Sequence, residues 1–278
     1  METPMRDQTA APVSATKPFD PVARAEALER RKIRLIAVLS HLALIAIWEA
    51  MVRLFALPSF VLPAPSAIIA TLPLPRYDWI GNTWATAAEI YGGYALATVL
   101  GVLTALLFTW SRTVSVVVFP LLVTLNMIPK VALGPLVIVW FSYGIDTNIL
   151  ITFAMCYFPI LLTTVRGLKE VDPDLLDLVH SLRGNRWQMF TYIQLPGALP
   201  YIFSGMKVAV VMAVAGAIVG EFIASDRGLG YLMIQVQAAL NTPAMFMAVV
   251  LITLLGIVLY LLVLLAERFA LPKDARLQ

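Results

Sequence analysis

The sequence predicts an all-α, polytopic membrane protein with about six transmembrane helices. Three observations carry the prediction. The 278-residue chain is 60% hydrophobic, and only 13% of it is Asp, Glu, Lys or Arg, about half the charged share usual in a soluble domain. Its apolar residues gather into runs of the length that crosses a hydrocarbon core, about 20 residues. Lysine and arginine crowd into alternate connecting segments.

Residues 1–34 read as a cytoplasmic N-terminal tail. They mix acids with bases and end in Glu29-Arg30-Arg31-Lys32-Ile33-Arg34, and the apolar run that follows is long and lacks a small-x-small cleavage site. Residues 1–22 form a loose tail on this reading, and 23–34 a basic amphipathic approach to the membrane.

Residues 35–80 hold a first crossing, about 35–56, and a proline-rich external loop. Glu49 and Arg53 interrupt that crossing near its far end. The remaining helices fall in a core, 81–270. The second crossing, 91–110, lies in the uncharged stretch between Glu89 and Arg112. The third, 114–140, is unusually long and is broken by Pro129 and Lys130. The fourth, 147–165, is bounded by Asp146 and Arg166. The fifth is placed at 200–220, because Pro196 and Pro200 would break a helix drawn earlier and Pro200 suits a first turn. Lys207 then reaches the near interface by snorkelling. The sixth, 244–266, lies in the longest uncharged stretch. Residues 271–278 form a cytoplasmic C-terminal tail.

This arrangement puts all but four of the 20 basic residues on the side of the termini. Arg53, Arg76 and Arg227 fall opposite, and Lys130 falls within a span. The bias predicts that both termini are cytoplasmic. The net charge of +3 is no signature of nucleic-acid binding. Cys156 is the only cysteine, which excludes an intrachain disulfide and a thiolate metal cluster, and in its apolar run it reads as packing. His41 and His180 are too far apart in sequence to suggest a ligand pair. No Gly-x-x-x-x-Gly-Lys-Ser/Thr occurs, so the chain carries no P-loop. A membrane-bound enzyme is disfavoured, and no cofactor is expected in this chain.

The internal loop, 166–199, is the informative segment. Asp172 is a good N-cap, Pro173 a good first helical residue, and Asp174 favourable charge in the first turn. Leu175, Leu176, Val179 and Leu182 recur at helical spacing as one apolar stripe. Gly184-Asn185 predicts a turn, followed by a second short helix over 186–194 stopped near Pro196. Two short helices held between membrane spans make a projecting knob. Two readings fit it: a docking surface for a soluble partner, or a loop lying on the lipid surface, anchored by Trp187, Phe190 and Tyr192.

Asp177-Leu-Val-His180-Ser-Leu-Arg183, followed by Gly184-Asn-Arg186-Trp187-Gln-Met-Phe-Thr-Tyr-Ile193-Gln-Leu195-Pro196, resembles the "EAA" loop of ABC-importer permeases. That motif runs Glu-Ala-Ala, three residues, Gly, nine residues, Ile, one residue, Leu-Pro. Asp177 stands at the Glu position and Leu178 and Val179 at the Ala positions. Arg183 stands at the Gly position, with Gly184 one residue late. Ile193, Leu195 and Pro196 match. Phe60-Val-Leu-Pro63-Ala-Pro65-Ser-Ala-Ile68, Pro129-Lys130-Val-Ala-Leu-Gly134-Pro-Leu136, Gly220-Glu221-Phe-Ile-Ala-Ser225 and Arg227-Gly228-Leu-Gly230-Tyr-Leu232 are similar to permeases of the nitrate/taurine/alkanesulfonate type. The resemblance covers about 60–270.

It implies a type I importer permease (MetI-like) fold in a bacterial inner membrane. It also implies a second copy of the chain, a cytoplasmic ABC ATPase dimer that binds ATP and Mg, and a periplasmic or lipoprotein solute-binding protein. Asp172, Asp174, Asp177, His180, Arg183, Gly184, Arg186, Trp187, Leu195 and Pro196 would then meet the ATPase. Pro129, Lys130, Glu221, Gly228 and Gly230 are the pathway candidates.

Lys130 admits two readings: a charge that sets the field for an anionic substrate, or an interfacial residue between two shorter elements. Glu221 and Glu89, near the external ends of their spans, are read as pairing with a base, meeting the binding protein or facing water. A nest of backbone donors at 228–230 would suit an anion. Glycines 92, 93, 101, 216 and 220 permit close helix contact. The competing function is a secondary transporter, which would favour paired buried ionisable residues; no buried acid stands out as a mate for Lys130.

Overall fold

The structure, a computed structural model, describes residues 21–271. Residues 1–20 and 272–278, parts of the tails predicted at 1–34 and 271–278, lie outside the described residues. The chain divides into two units, 1–54 and 55–278.

The first unit is one helix, α1, Pro21–Leu54. Glu49 and Arg53, which interrupt the apolar run, pair with each other across one turn at 2.6 Å. From Ile33 to Leu54 large apolar side chains point outward on every face: Ile36, Leu44 and Ile47 are each at least 60% exposed. Such a surface suits lipid rather than water.

The second unit opens with short pieces, α2 (Pro65–Ile69) and a 3₁₀ turn at Pro75–Tyr77. Then come α3 (Trp79–Trp110), α4 (Arg112–Asn126), α5 (Gly134–Phe141), α6 (Ile145–Lys169), α7 (Pro173–Ser181), α8 (Arg186–Met189), α9 (Leu195–Ala224), α10 (Leu229–Ala238) and α11 (Thr242–Ala270). Among the described residues five segments are long and apolar enough to cross a membrane: 31–54, 75–110, 145–169, 186–223 and 242–270.

Helix α6 is the hub, packed along α3 on one side and α9 on the other. Small residues set the spacing. A Cβ on Gly93 of α3 would meet the Thr152 side chain at 2.5 Å, and one on Gly216 of α9 would meet the Thr152 Cα at 2.9 Å. Both neighbours thus approach the same turn of α6 as closely as backbone permits. Ala97, Ala209, Ala213 and Ala217 continue the seam with no exposure, around Ile90, Ile160 and Cys156. Cys156 packs there as expected, its thiol donating to the Ala209 carbonyl.

These contacts fix direction. Residues 89, 93 and 101 of α3 meet 148, 152 and 160 of α6 in that order, so α3 and α6 run the same way. Residues 205, 216 and 220 of α9 meet 163, 152 and 148, so α9 runs back. Two parallel neighbours need a return crossing between them, and 111–144 must supply it.

The return is divided where the sequence placed a break in 114–140, at Pro129 and Lys130. Helix α4 has 15 residues, about 22 Å at 1.5 Å per residue. The chain then extends at Pro129 (ψ 105°), makes a 3₁₀ turn at Lys130–Leu133 and restarts as α5. Proline lacks the N–H that would continue the ladder, so the helix divides where Pro129 stands.

The fifth crossing differs from that expected. Pro196 does not stop a helix there and Pro200 does not start one. Helix α8 passes into a π-helical turn at Phe190–Gln194 and on into α9. Pro196 gives no donor and its ring crowds the carbonyl four residues back. The turn before it widens, with the Leu195 N–H donating to the Phe190 carbonyl, a π-bulge. Pro200 is then carried inside α9. Lys207 does not merely snorkel: it pairs with Glu267 of α11 at 2.9 Å, the acid being nearly buried.

Candidate functional site

Two polar regions lie at opposite ends of the second unit. The first is built where α3, α6 and α9 begin or end beside the turn leading into α10. Asn82 and Thr86, one helical turn apart on α3, take the backbone N–H groups of Gly228 and Leu229, each at 2.8 Å. The Thr86 hydroxyl donates to Glu221 Oε1 at 2.5 Å, and the Gly230 N–H donates to Glu221 Oε2. The Tyr231 N–H donates to the same carboxyl. Gly228 adopts φ 110°, which side chains rarely tolerate, and a Cβ there would run into the Glu221 carboxyl. The nest expected at 228–230 therefore forms, but its donors are taken by Asn82, Thr86 and Glu221.

Glu221 does not face water. It is 1% exposed, and Glu89 is fully buried beside it, the two carboxyls within hydrogen-bonding reach. Asn148 of α6 donates to Glu89 Oε1 at 2.8 Å. No cationic side chain pairs with either acid among the described residues. Glu89, Asn148, Thr86 and Asn82 are the residues that sequence reasoning missed as a group. The available signal was an acid inside an otherwise apolar helix, which is costly without a partner.

Lys130 opens the 3₁₀ turn in the break between α4 and α5. Its ammonium donates to Asn126 Oδ1 at 2.7 Å and to the Asn126 carbonyl at 3.1 Å, while Pro129 is exposed. Of the pathway candidates, Glu221, Gly228 and Gly230 are brought together; Pro129 and Lys130 belong to the return segment.

The second region is the connection from α6 to α9. Asp172 Oδ1 accepts from the Asp174 N–H at 3.0 Å, beginning α7. Asp174 and Asp177 are exposed on that helix, as are Leu175 and Leu178, Leu182 is exposed just past its end, and His180 lies on it by its backbone. Helix α7 ends in a left-handed residue, Arg183 at φ 55°, and the Gly184 N–H returns to the Val179 carbonyl at 2.8 Å. This is a Schellman-type stop. Asn185 and Gln188 then form a reciprocal capping box at 2.8 Å in each direction, which starts α8 at Arg186.

An aromatic cluster holds this start to the end of α3. Trp110 meets Trp187 at 5.9 Å and Phe190 at 5.6 Å, and Trp187 meets Phe190 at 5.8 Å. Each pair carries about 0.5–1.5 kcal/mol beyond its buried area. With Arg186, Gly184 and Gln194 these rings line an open cavity of about 550 Å³. Trp110 was not anticipated, because nothing in the sequence ties the end of α3 to residues 187–190. Leu195 and Pro196 lie just past the π-helical turn.

A bundle of long apolar helices, with a polar connection at one end and a buried acid pair at the other, defines a multi-pass membrane protein. No group of three or more metal-ligating side chains occurs among the described residues. The chain belongs to the family described as the binding-protein-dependent transport system inner membrane component, which matches residues 97–270. It is a permease, a non-catalytic component of an ABC importer.

The relatives agree. The formylaminopyrimidine transport permease protein ThiX of Halalkalibacterium halodurans is 34% identical over 84% of this chain and 94% of its own length. The riboflavin transport system permease protein RibX of Chloroflexus aurantiacus is 30% identical over 84% and 87%. A putative aliphatic sulfonates transport permease protein, SsuC of Bacillus subtilis, is 26% identical over 77% and 78%. Among solved structures, a chain of the MetNI methionine ABC transporter in an inward-facing conformation matches with a TM-score of 0.61. It is 17% identical and covers 72% of this chain and 99% of that one. The protein therefore has the MetI-like fold.

Proposed function

We propose that two copies of this chain form the translocation pathway of an ATP-driven importer, coupled through residues 172–196 to a cytoplasmic ATPase dimer that binds ATP and Mg. A periplasmic or lipoprotein solute-binding protein would deliver the solute at the Gly228 end. The observation that carries the coupling reading is the build of 172–196. Helix α7 exposes Asp174, Asp177, Leu175 and Leu178, with Leu182 just past its end, while α8 is anchored by Trp187 and Phe190 to the end of α3 and runs on into α9. A push on α7 or α8 would thus be delivered to two crossing helices. On this reading both termini are cytoplasmic, as the crowding of Lys and Arg into the tails and the 166–199 connection suggests.

The solute we favour is a small heteroaromatic nitrogen compound. The support is the greater identity to relatives named for formylaminopyrimidine and riboflavin, 34% and 30%, than to the one named for aliphatic sulfonates, 26%. The second reading is a small anion such as nitrate, taurine or an alkanesulfonate. It rests on that sulfonate relative and on Lys130, whose ammonium is half-buried in the return segment. A secondary transporter working without an ATPase gains one feature, the buried pair Glu89–Glu221, but leaves the anchored α7–α8 connection without a task.

Asp177→Arg in the reconstituted complex tests the coupling. Transport is expected to be lost while the permease dimer still assembles. ATP-coupled transport at the normal rate in that variant would count against this contact.

A further inference from the structure

The buried acids near the Gly228 end have a hydrogen-bond pattern that a proton on Glu89 completes. Glu221 receives three donors, the Thr86 hydroxyl and the Gly230 and Tyr231 N–H groups, so both its oxygens act as acceptors. Glu89 receives one, from Asn148, on Oε1. Its other oxygen, Oε2, is buried and has no donor at all, yet Glu89 is fully buried and its carboxyl lies against that of Glu221. Two acceptor oxygens do not rest against each other in an apolar interior without something positive between them. The charges facing the pair are its own: α3 and α9 supply the two acids, α6 supplies the neutral Asn148, and the turn into α10 supplies backbone N–H groups. Asn148 Oδ1, also buried, has no partner either.

We propose that Glu89 and Glu221 form a proton-binding site holding one proton, carried on Glu89 Oε2 and donated to Glu221. The single remaining negative charge then lies on Glu221, where three donors meet it. Glu89 Oε1 serves as the carbonyl oxygen that takes the Asn148 amide. The proton joins α3 to α9 and, through Glu221, to the Gly228–Gly230 turn. Its removal would place two like charges side by side and release that turn, so the site makes the closure of this end of the permease depend on a bound proton. The two acids share one site and therefore titrate as a pair.

Infrared difference spectroscopy of the full-length permease in lipid tests this without any variant. A buried carboxylic C=O band, separate from the carboxylate bands of the exposed acids and shifted in D2O, is expected at neutral pH. Glu89→Gln should remove the band and leave the thermal unfolding of the permease near the wild-type level, because the Gln amide N–H replaces the donor to Glu221. Glu221→Gln should lower thermal stability, because its amide N–H would face the N–H groups it must accept from. Absence of the band in the wild-type protein, with a dependence of transport on sodium or potassium, would overturn the proposal in favour of a bound metal cation. The opposite asymmetry, Glu221→Gln tolerated and Glu89→Gln disruptive, would overturn the placement of the proton on Glu89.

Discussion

Arg183 and Gly228 both hold backbone conformations that favour glycine, and only one of them is glycine. Arg183, at the stop of α7, has φ 55°. It stands where the resembled motif has its glycine, and its left-handed backbone is one that glycine adopts without a Cβ penalty. A left-handed non-glycine residue costs about 1–2 kcal/mol. Arg183→Gly is expected to raise stability by about 1 kcal/mol in thermal unfolding in detergent, and Arg183→Ala to give no such gain. Gly228→Ala should do the reverse, since its φ of 110° and the Glu221 carboxyl both oppose a Cβ. A loss of about 2–3 kcal/mol in the same measurement is expected, together with impaired transport.

At the scale of elements, the pair Lys207–Glu267 ties α9 to α11 near the end that carries α7. Glu267 is 6% and Lys207 22% exposed by side chain, so removing one partner strands a nearly buried charge. Lys207→Met should destabilise the protein, and the double change with Glu267→Met should recover most of the loss, as a double-mutant cycle would read. The sequence placed Lys207 only within reach of an interface. It could not supply Glu267 as a mate, because that pairing depends on α11 running antiparallel to α9. The same limit explains Glu89 and Glu221, which lie more than a hundred residues apart in sequence. Long uncharged runs announced α6 and α11 well, but the run after Glu89 put the start of its crossing at 91, whereas α3 begins at Trp79 and carries Glu89 inside it. The prolines at the start of α9 misled, since rules for a proline in a helix interior say nothing of a π-turn that accommodates Pro196, whereas the break at Pro129 followed directly from its missing N–H. Asp172, Pro173 and the Gly184-Asn185 turn were legible because capping chemistry is local.

At the scale of the whole molecule, the second unit has two polar ends joined by α3, α6 and α9. The α7–α8 connection feeds directly into α9, and α9 carries in its last turn Glu221, whose carboxyl holds the turn into α10. A rigid helix of 30 residues, about 45 Å long, is therefore continuous from the proposed ATPase contact to the opposite end. This gives alternating access a mechanical link, with the apolar seam around Cys156 keeping α6 and α9 in register. Uptake by proteoliposomes containing the permease, its ATPase and its binding protein tests that account most directly. Accumulation of solute that requires ATP and the ATPase, and is unaffected by collapsing ion gradients, is the result expected. Accumulation that persists without ATP or the ATPase and follows an ion gradient would contradict it.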